Sequence, residues 1–448
     1  MASATHDLTR GNLYRQIFFF SLPLIFTNLL QILFNMADVA IAGRFAGSHA
    51  LGAVGSTSTL IFLYTGFLIG LGSGINVLVA QHYGAKSANN VRQVVHTSAI
   101  LALIAGIVIW IAGALSCRFF LELLGTKPTL IDDAELYMQI YFIGMPAMAL
   151  YNFGNGVLSA VGDTRRPLMY LGISGAVNIL LDLFTVIVLH MDVDGVAIAS
   201  VTAQYVSAFL ILRALWKTKD SYALCPKHLR LSPDKARSVL TMGIPAGIQF
   251  AIFSIANLFI QSGVNTFDET VVAGNAAAGN IDNLIYNILA AFYTACSSFI
   301  GQNLGAGSKE RIRKSYFICL IYSVGAAVLL GGIVLLFGHK ILYLFTTEPA
   351  VVEAALPRAY IMAISYWLSC FMDNSLSASR GLGRSLVPTA IVILGVCAFR
   401  IAWVYTVFAY FGTLTSLYSL FAFSWIITSI AEILYFVRCY KRDLAFLN

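Results

Sequence analysis

Apolar residues recur along the chain in runs of about 20 or more, separated by short stretches rich in Gly, Pro, Ser and charge. A helix rising about 1.5 Å per residue crosses about 30 Å of hydrocarbon in about 20 residues, so each run is read as a spanning helix. Splitting at the turn and charge clusters places helices at 13–42, 51–82, 93–117, 134–160, 168–190, 195–215, 238–265, 271–302, 315–338, 359–379, 388–410 and 414–437. The run at 13–42 is too long for the core of a secretory signal and lacks a small-residue cleavage site, so it is read as a retained first helix.

The two halves repeat each other. Pro23 and Asn35 match Pro245 and Asn257, while Gln81, Gly84, Arg92, Pro128, Gly162 and Pro167 match Gln302, Gly305, Arg313, Pro349, Gly383 and Pro388, at an offset of 221 to 222 residues. A near-constant offset over this length signals duplication. Each copy has six helices, an even number, so both enter the membrane in the same sense. The expected organisation is a first lobe at 1–215, a cytoplasmic linker at 216–237 and a second lobe at 238–448, with the lobes facing a central cleft. The linker is expected to contain an interfacial amphipathic stretch and to permit lobe motion.

Composition agrees with a membrane solvent: of 448 residues 58% are hydrophobic and 11% charged, against about 25% charged in soluble domains. The net charge of +7 does not point to nucleic acid, because the basic residues sit in short segments between apolar runs. With both termini cytoplasmic, only Arg44, Arg118, Lys127, Lys340 and Arg358 of the 28 Lys and Arg fall on the far side, and Arg400 falls inside a helix. Seven scattered cysteines imply neither a disulfide framework nor a metal site. No nucleotide-binding, heme-attachment or catalytic-triad motif is present, so an enzyme is not expected and no cofactor is implied.

The polar residues inside the helices carry the candidate chemistry. The first helix has Asn28, Gln31, Asn35 and Asp38 at spacings of 3, 4 and 3, one stripe on an otherwise apolar surface. The fifth has Ser174, Asn178, Asp182 and Thr185, with Asn178 and Asp182 one turn apart. If these helices adjoin, Asp38, Asp182 and Asn178 enclose one proton or one sodium ion; the residues do not choose between them. Candidates for lining a substrate cavity are Gln31 and Asn35, Asn152 and Asn155 in the fourth helix, Asn257 and Gln261 in the seventh, Asp282 or Asn283 with Tyr286 in the eighth, and Asp373 and Arg400 in the tenth and eleventh. An ion pair is expected between Asp373 and Arg400, since an unpaired Arg inside the membrane is costly.

These residues resemble the multidrug and toxic compound extrusion (MATE) family in its bacterial, NorM- and DinF-like branch. The resemblance rests on SLPLIFTNLLQILFNMADVAIAGRFAG at 21–47, VAQHYGA at 79–85, SAVGDTRRP at 159–167, NILLDLF followed by GVAIAS between 178 and 200, and SRGLGRSLVP at 379–388. It covers nearly the whole chain. It implies an all-α membrane protein of two six-helix lobes, V-shaped, in the bacterial plasma membrane; a monomer is expected, although the residues themselves do not report the oligomeric state. It also implies export of amphipathic, often cationic drugs against proton or sodium entry by rocker-switch alternating access. In that pattern Asp38, Asn178, Asp182 and Ser200 carry ion coupling and Pro23 is the bend-forming proline. Two departures stand out: Phe34 occupies a position where some members have tyrosine, and the seventh-helix stretch GIPAGIQFAIFSIAN lacks the glutamate of the sodium-coupled NorM-like members. Coupling is therefore expected in the first lobe. The rival function is that of the lipid-linked oligosaccharide flippases of the same fold, whose anionic cargo calls for a basic cavity where this one is acidic and amide-rich. A passive channel or a receptor is the alternative of a different class.

Overall fold

The computed structural model describes residues 7–445, and among them there is no strand. Each of the twelve expected segments is helical. The helices are α1 (Leu13–Ala46), α2 (Ser48–Gly84), α3 (Ala88–Leu123), α4 in two pieces (Ile131–Ile143 and Met145–Ala160), α5 (Arg165–Val188), α6 (Val193–Lys217), α7 (Pro233–Val264), α8 (Glu269–Gly305), α9 (Lys309–Leu342), α10 (Pro349–Gly381), α11 (Leu386–Phe411) and α12 (Leu414–Asp443). Ten of them are long and apolar enough to cross a membrane on their own. The exceptions have physical causes. In α4, Gly144 and Pro146 interrupt the ladder, since proline has no N–H to donate. In α10 a buried polar series, Ser365, Ser369, Asp373, Asn374, Ser375 and Ser379, lowers the hydropathy of a helix enclosed by protein instead of lipid.

The helix starts follow local side-chain chemistry. Asp268 accepts the Val271 N–H at 2.9 Å to cap α8, and Thr413 with Ser416 forms a capping box on α12. Wide π-type turns follow Asp38 in α1 (Ala42–Ala46) and Asp182 in α5 (Phe184–Val188), and two more flank Arg400 in α11 (Ile393–Ala398 and Val404–Phe408). Such turns break the regular ladder and gather at functional positions in helices.

The chain divides into two compact units, but not at the linker. Unit 1 takes in Phe26–Ala251; unit 2 takes in Leu8–Ile25 and the chain from Ile252 onward. By contact, α1 changes unit after Ile25 and α7 after Ala251. Side-chain packing explains both. The first half of α7 lies against α2 at glycines, where a Cβ on Gly70 would stand 2.3 Å from the Gly247 nitrogen and one on Gly74 2.6 Å from the Gly243 nitrogen. Small residues at four-residue spacing bring two backbones into contact in this way. The first half of α1 packs in unit 2, with Phe20 edge-on to Phe299 at 5.4 Å.

Each of these helices is preceded by a tethered segment. Before α1, Arg311 of α9 donates to the carbonyls of Gly11 (2.9 Å) and Leu8 (3.0 Å) and to Asn303 Oδ1 (3.0 Å), while Gln302 Oε1 accepts the Leu8 N–H at 3.2 Å. Before α7, the linker holds one short helical turn, Pro226–His228. Its Tyr222 and Leu224 are buried, the Cys225 N–H donates to His96 Nε2 at 3.0 Å, and the Ser232 N–H donates to Thr97 Oγ1 at 3.1 Å. Leu229 and Leu231, further along the linker, stay exposed.

Candidate functional site

In unit 1, Asp38, Asn178, Asp182 and Ser200 come together. The Asn178 Nδ2 group donates to Asp38 Oδ1 at 2.6 Å and to Asp182 Oδ2 at 2.7 Å, and Ser200 Oγ donates to Asp38 Oδ2 at 3.1 Å. Asn178 and Asp182 share a face of α5 because they lie one turn apart, and Gly175, one turn earlier, lets α1 approach. A Cβ there would fall 1.8 Å from the Phe34 ring. Phe34, standing where a hydroxyl had seemed missing, packs on α5. Tyr137 and Tyr141 of α4 are buried close to Asp38. These tyrosines escaped the sequence reading, although their one-turn spacing in an apolar run was visible.

Asp182 is 0% exposed, and its Oδ1 has no hydrogen-bond partner. Among the described residues no Lys, Arg or His makes an ion pair with Asp38 or Asp182. Two carboxyls thus meet with an amide and a hydroxyl as their donors and no built-in countercharge. Oxygen donors of this kind suit a hard monovalent cation or a proton.

The other expected positions divide. Gln31 and Asn35 are exposed on α1, as are Asn257, Asn283 and Tyr286 in unit 2. Asn152 and Asn155 stay within α4, bonding to the Met148 carbonyl (3.0 Å) and to Ser159 Oγ (3.4 Å). Gln261 links Asn265 and Asn275 at 2.8 and 3.0 Å. Pro23 lies inside α1, two residues before the helix changes unit.

One expectation about charge needs correction, and one buried pair was not expected. Arg358 lies within α10 with its side chain 14% exposed, and bonds Asp282 Oδ2 through Nη2 at 2.7 Å and Nε at 2.9 Å. Its Nη1 donates to Asn275 Oδ1 at 2.5 Å, and the Tyr366 hydroxyl donates to the other Asp282 oxygen. Asp282 is therefore half of a buried ion pair, with both oxygens in use. The expected Asp373–Arg400 pair does not close. Arg400 lies over the Phe421 ring at 4.4 Å and donates from Nε to Ser424 Oγ at 3.1 Å, while Asp373 Oδ2 has no hydrogen-bond partner. The aromatic face of α12 takes the guanidinium that the carboxylate was expected to take.

Comparison with known proteins bears on the whole chain. The MatE family model matches residues 23–184 and again 245–406, two stretches displaced by 222 residues. Two Bacillus subtilis proteins are similar over most of their length: the probable multidrug resistance protein YpnP, 28% identical over 81% of this chain and 80% of its own, and the probable multidrug resistance protein YoeA, 27% identical over 88% and 86%. Among solved structures, a MOP superfamily transporter from Pyrococcus furiosus superposes with a TM-score of 0.92 at 22% identity, over 99% of both chains. The double match of the family model, on a chain with this fold and this repeat, places the protein in the MatE family, the multidrug and toxic compound extrusion transporters.

Proposed function

We propose that the protein exports amphipathic organic compounds, often cationic, from the cell in exchange for a proton or sodium ion that enters through the Asp38–Asn178–Asp182–Ser200 site. The observation that carries this reading is the single Asn178 amide donating to both carboxyls. One amide holds two carboxyls together, and among the described residues no basic side chain balances them, so a mobile monovalent cation is the partner that the chemistry asks for. The names of the relatives support the cargo class. Exposed Gln31 and Asn35 on the same α1 stripe offer amide contacts to cargo in unit 1.

In this reading cation and cargo bias one conformational equilibrium in opposite directions, and the cation gradient drives export by alternating access to the two sides of the plasma membrane, the termini being cytoplasmic. A ligand shifts such an equilibrium only by its difference in affinity between the two states. Protonation or sodium binding must therefore change the Asp38–Asn178–Asp182 contacts themselves. Protein reconstituted in liposomes, with a fluorescent organic cation and separately imposed proton and sodium gradients, tests the proposal. Asp38→Asn and Asp182→Asn are expected to abolish gradient-driven transport, and full transport by both variants would overturn it.

A further inference from the structure

Glu432 lies on α12 in unit 2 and is 0% exposed, and both of its carboxyl oxygens are buried without a hydrogen-bond partner. It shares a face with Phe421, Trp425 and Thr428, at helical spacing. That face is packed against α11, since a Cβ on Gly395 would meet Thr428 Oγ1 at 2.3 Å, and against α10, where Ser429 Oγ donates to the Leu368 carbonyl at 3.1 Å. In the arrangement seen, lipid and water are thus both shut out; water reaches the carboxyl only in the other arrangement proposed below.

The charged groups that act on Glu432 are Arg380 and Asp373, two turns apart on α10. Arg400 of α11 and Tyr286 of α8 complete the surroundings, the first acting on Asp373 and the second on Arg380. None of these forms an ion pair with Glu432 among the described residues, and Arg380 directs Nη2 to Thr389 Oγ1 at 3.1 Å. A carboxylate without a donor in a dry interior is a costly species. Arg380 stays a cation in either case, because guanidinium does not give up its proton in a protein. What can change is the proton on Glu432 and the partner of Arg380.

We propose that Glu432 is a proton-binding site in unit 2, at which a proton and the Arg380 guanidinium compete for one carboxylate. In the arrangement seen, Glu432 holds the proton on a carboxyl oxygen and Arg380 rests on Thr389. In the other, the O–H bond breaks, the proton leaves to water, both electrons stay on the carboxylate, and Arg380 turns from Thr389 to pair with it. The site shares no residue with the Asp38 site, and its proton exchange stands apart from what drives transport there.

Infrared difference spectroscopy of the full-length protein in lipid nanodiscs, stepped between acid and alkaline pH, reads protonated carboxyl groups directly through their C=O stretch. Glu432→Gln is expected to remove one carboxyl band from the difference spectrum, while Asp38→Asn and Asp182→Asn leave that band in place. Arg380→Gln, which removes the competitor, is expected to keep the Glu432 band at alkaline pH. A Glu432→Gln spectrum that superimposes on the parent's overturns the proposal. Should that variant not fold, an Arg380→Gln spectrum identical to the parent's overturns it. Failure of the Asp38 and Asp182 variants to lose transport would overturn the unit 1 reading and leave these spectra unaffected.

Discussion

Asn178 and Asp182 sit one turn apart on α5 and are joined by a 2.7 Å hydrogen bond, and the nitrogen that makes it also reaches Asp38 on α1. The amide is the only group in the described site that touches both acids directly. Hydrogen bonds to charged groups are worth about 1.5–3 kcal/mol each, so Asn178→Ala is expected to lower gradient-driven uptake by about tenfold or more. Ser200→Ala removes one 3.1 Å bond to Asp38 and is expected to cost only several-fold. Initial rates in liposomes, normalised to the amount of reconstituted protein, measure both.

The Arg358–Asp282 pair predicts an asymmetry between single and double variants. Removing one partner of a buried pair leaves a lone charge and costs about 3–5 kcal/mol, while replacing both by apolar residues of similar size is often neutral. Asp282→Leu and Arg358→Met should each lower the unfolding temperature of unit 2 in detergent, and the double variant should recover most of the loss. Equal or additive losses would show that the pair is no brace.

Glycine contacts give a prediction with a sign. Gly70→Ala and Gly74→Ala each place a methyl against backbone atoms of α7, which cannot step aside as a side chain can. Overpacking of this kind costs about 1–3 kcal/mol or more. Gly172→Ala on α5, with nothing within 4 Å of its Cβ position, is expected to raise stability by about 0.5–1 kcal/mol through helix propensity. Thermal unfolding in detergent compares the three.

Arg311 predicts a local effect. Arg311→Gln removes the donors to the Leu8 and Gly11 carbonyls, and amide hydrogen exchange at Leu8–Gly11 is expected to speed up about tenfold or more. Arg313→Gln, at an exposed position on the same helix, is expected to leave that exchange unchanged.

Much of this architecture was legible in the amino-acid order, for physical reasons. Hydrocarbon thickness sets helix length, so the spans showed as apolar runs, and one-turn spacing put Asn178 and Asp182 on a common face before any neighbour was known. The pairing of charges was not legible, because spacing along one helix says nothing of which helix lies opposite. Arg400 was matched with Asp373 because an unpaired Arg inside the membrane is costly, yet an aromatic shelf of Phe421 and Trp425 holds it. Arg358 was read only as ending an apolar run, and its partner Asp282 on α8 could not be found from spacing along α10. The glycines at 66, 70 and 74 and at 243 and 247 had the spacing of a close helix contact and were passed over because the polar stripes drew the reading.

The division of α1 between the units reaches back to how the protein is made. As α1 leaves the ribosome, the partners of its opening turns and of the segment just before it still lie in side chains encoded about three hundred residues later: Gln302 for Leu8, and Tyr322, whose hydroxyl donates to the Tyr14 carbonyl at 3.1 Å. During synthesis that half-helix has nothing of its own unit to pack on, and it must wait in the bilayer or at the insertion machinery until the second copy has been threaded. Gene duplication created two copies of one six-helix plan, but the exchange of half-helices means that neither copy can mature as a separate product.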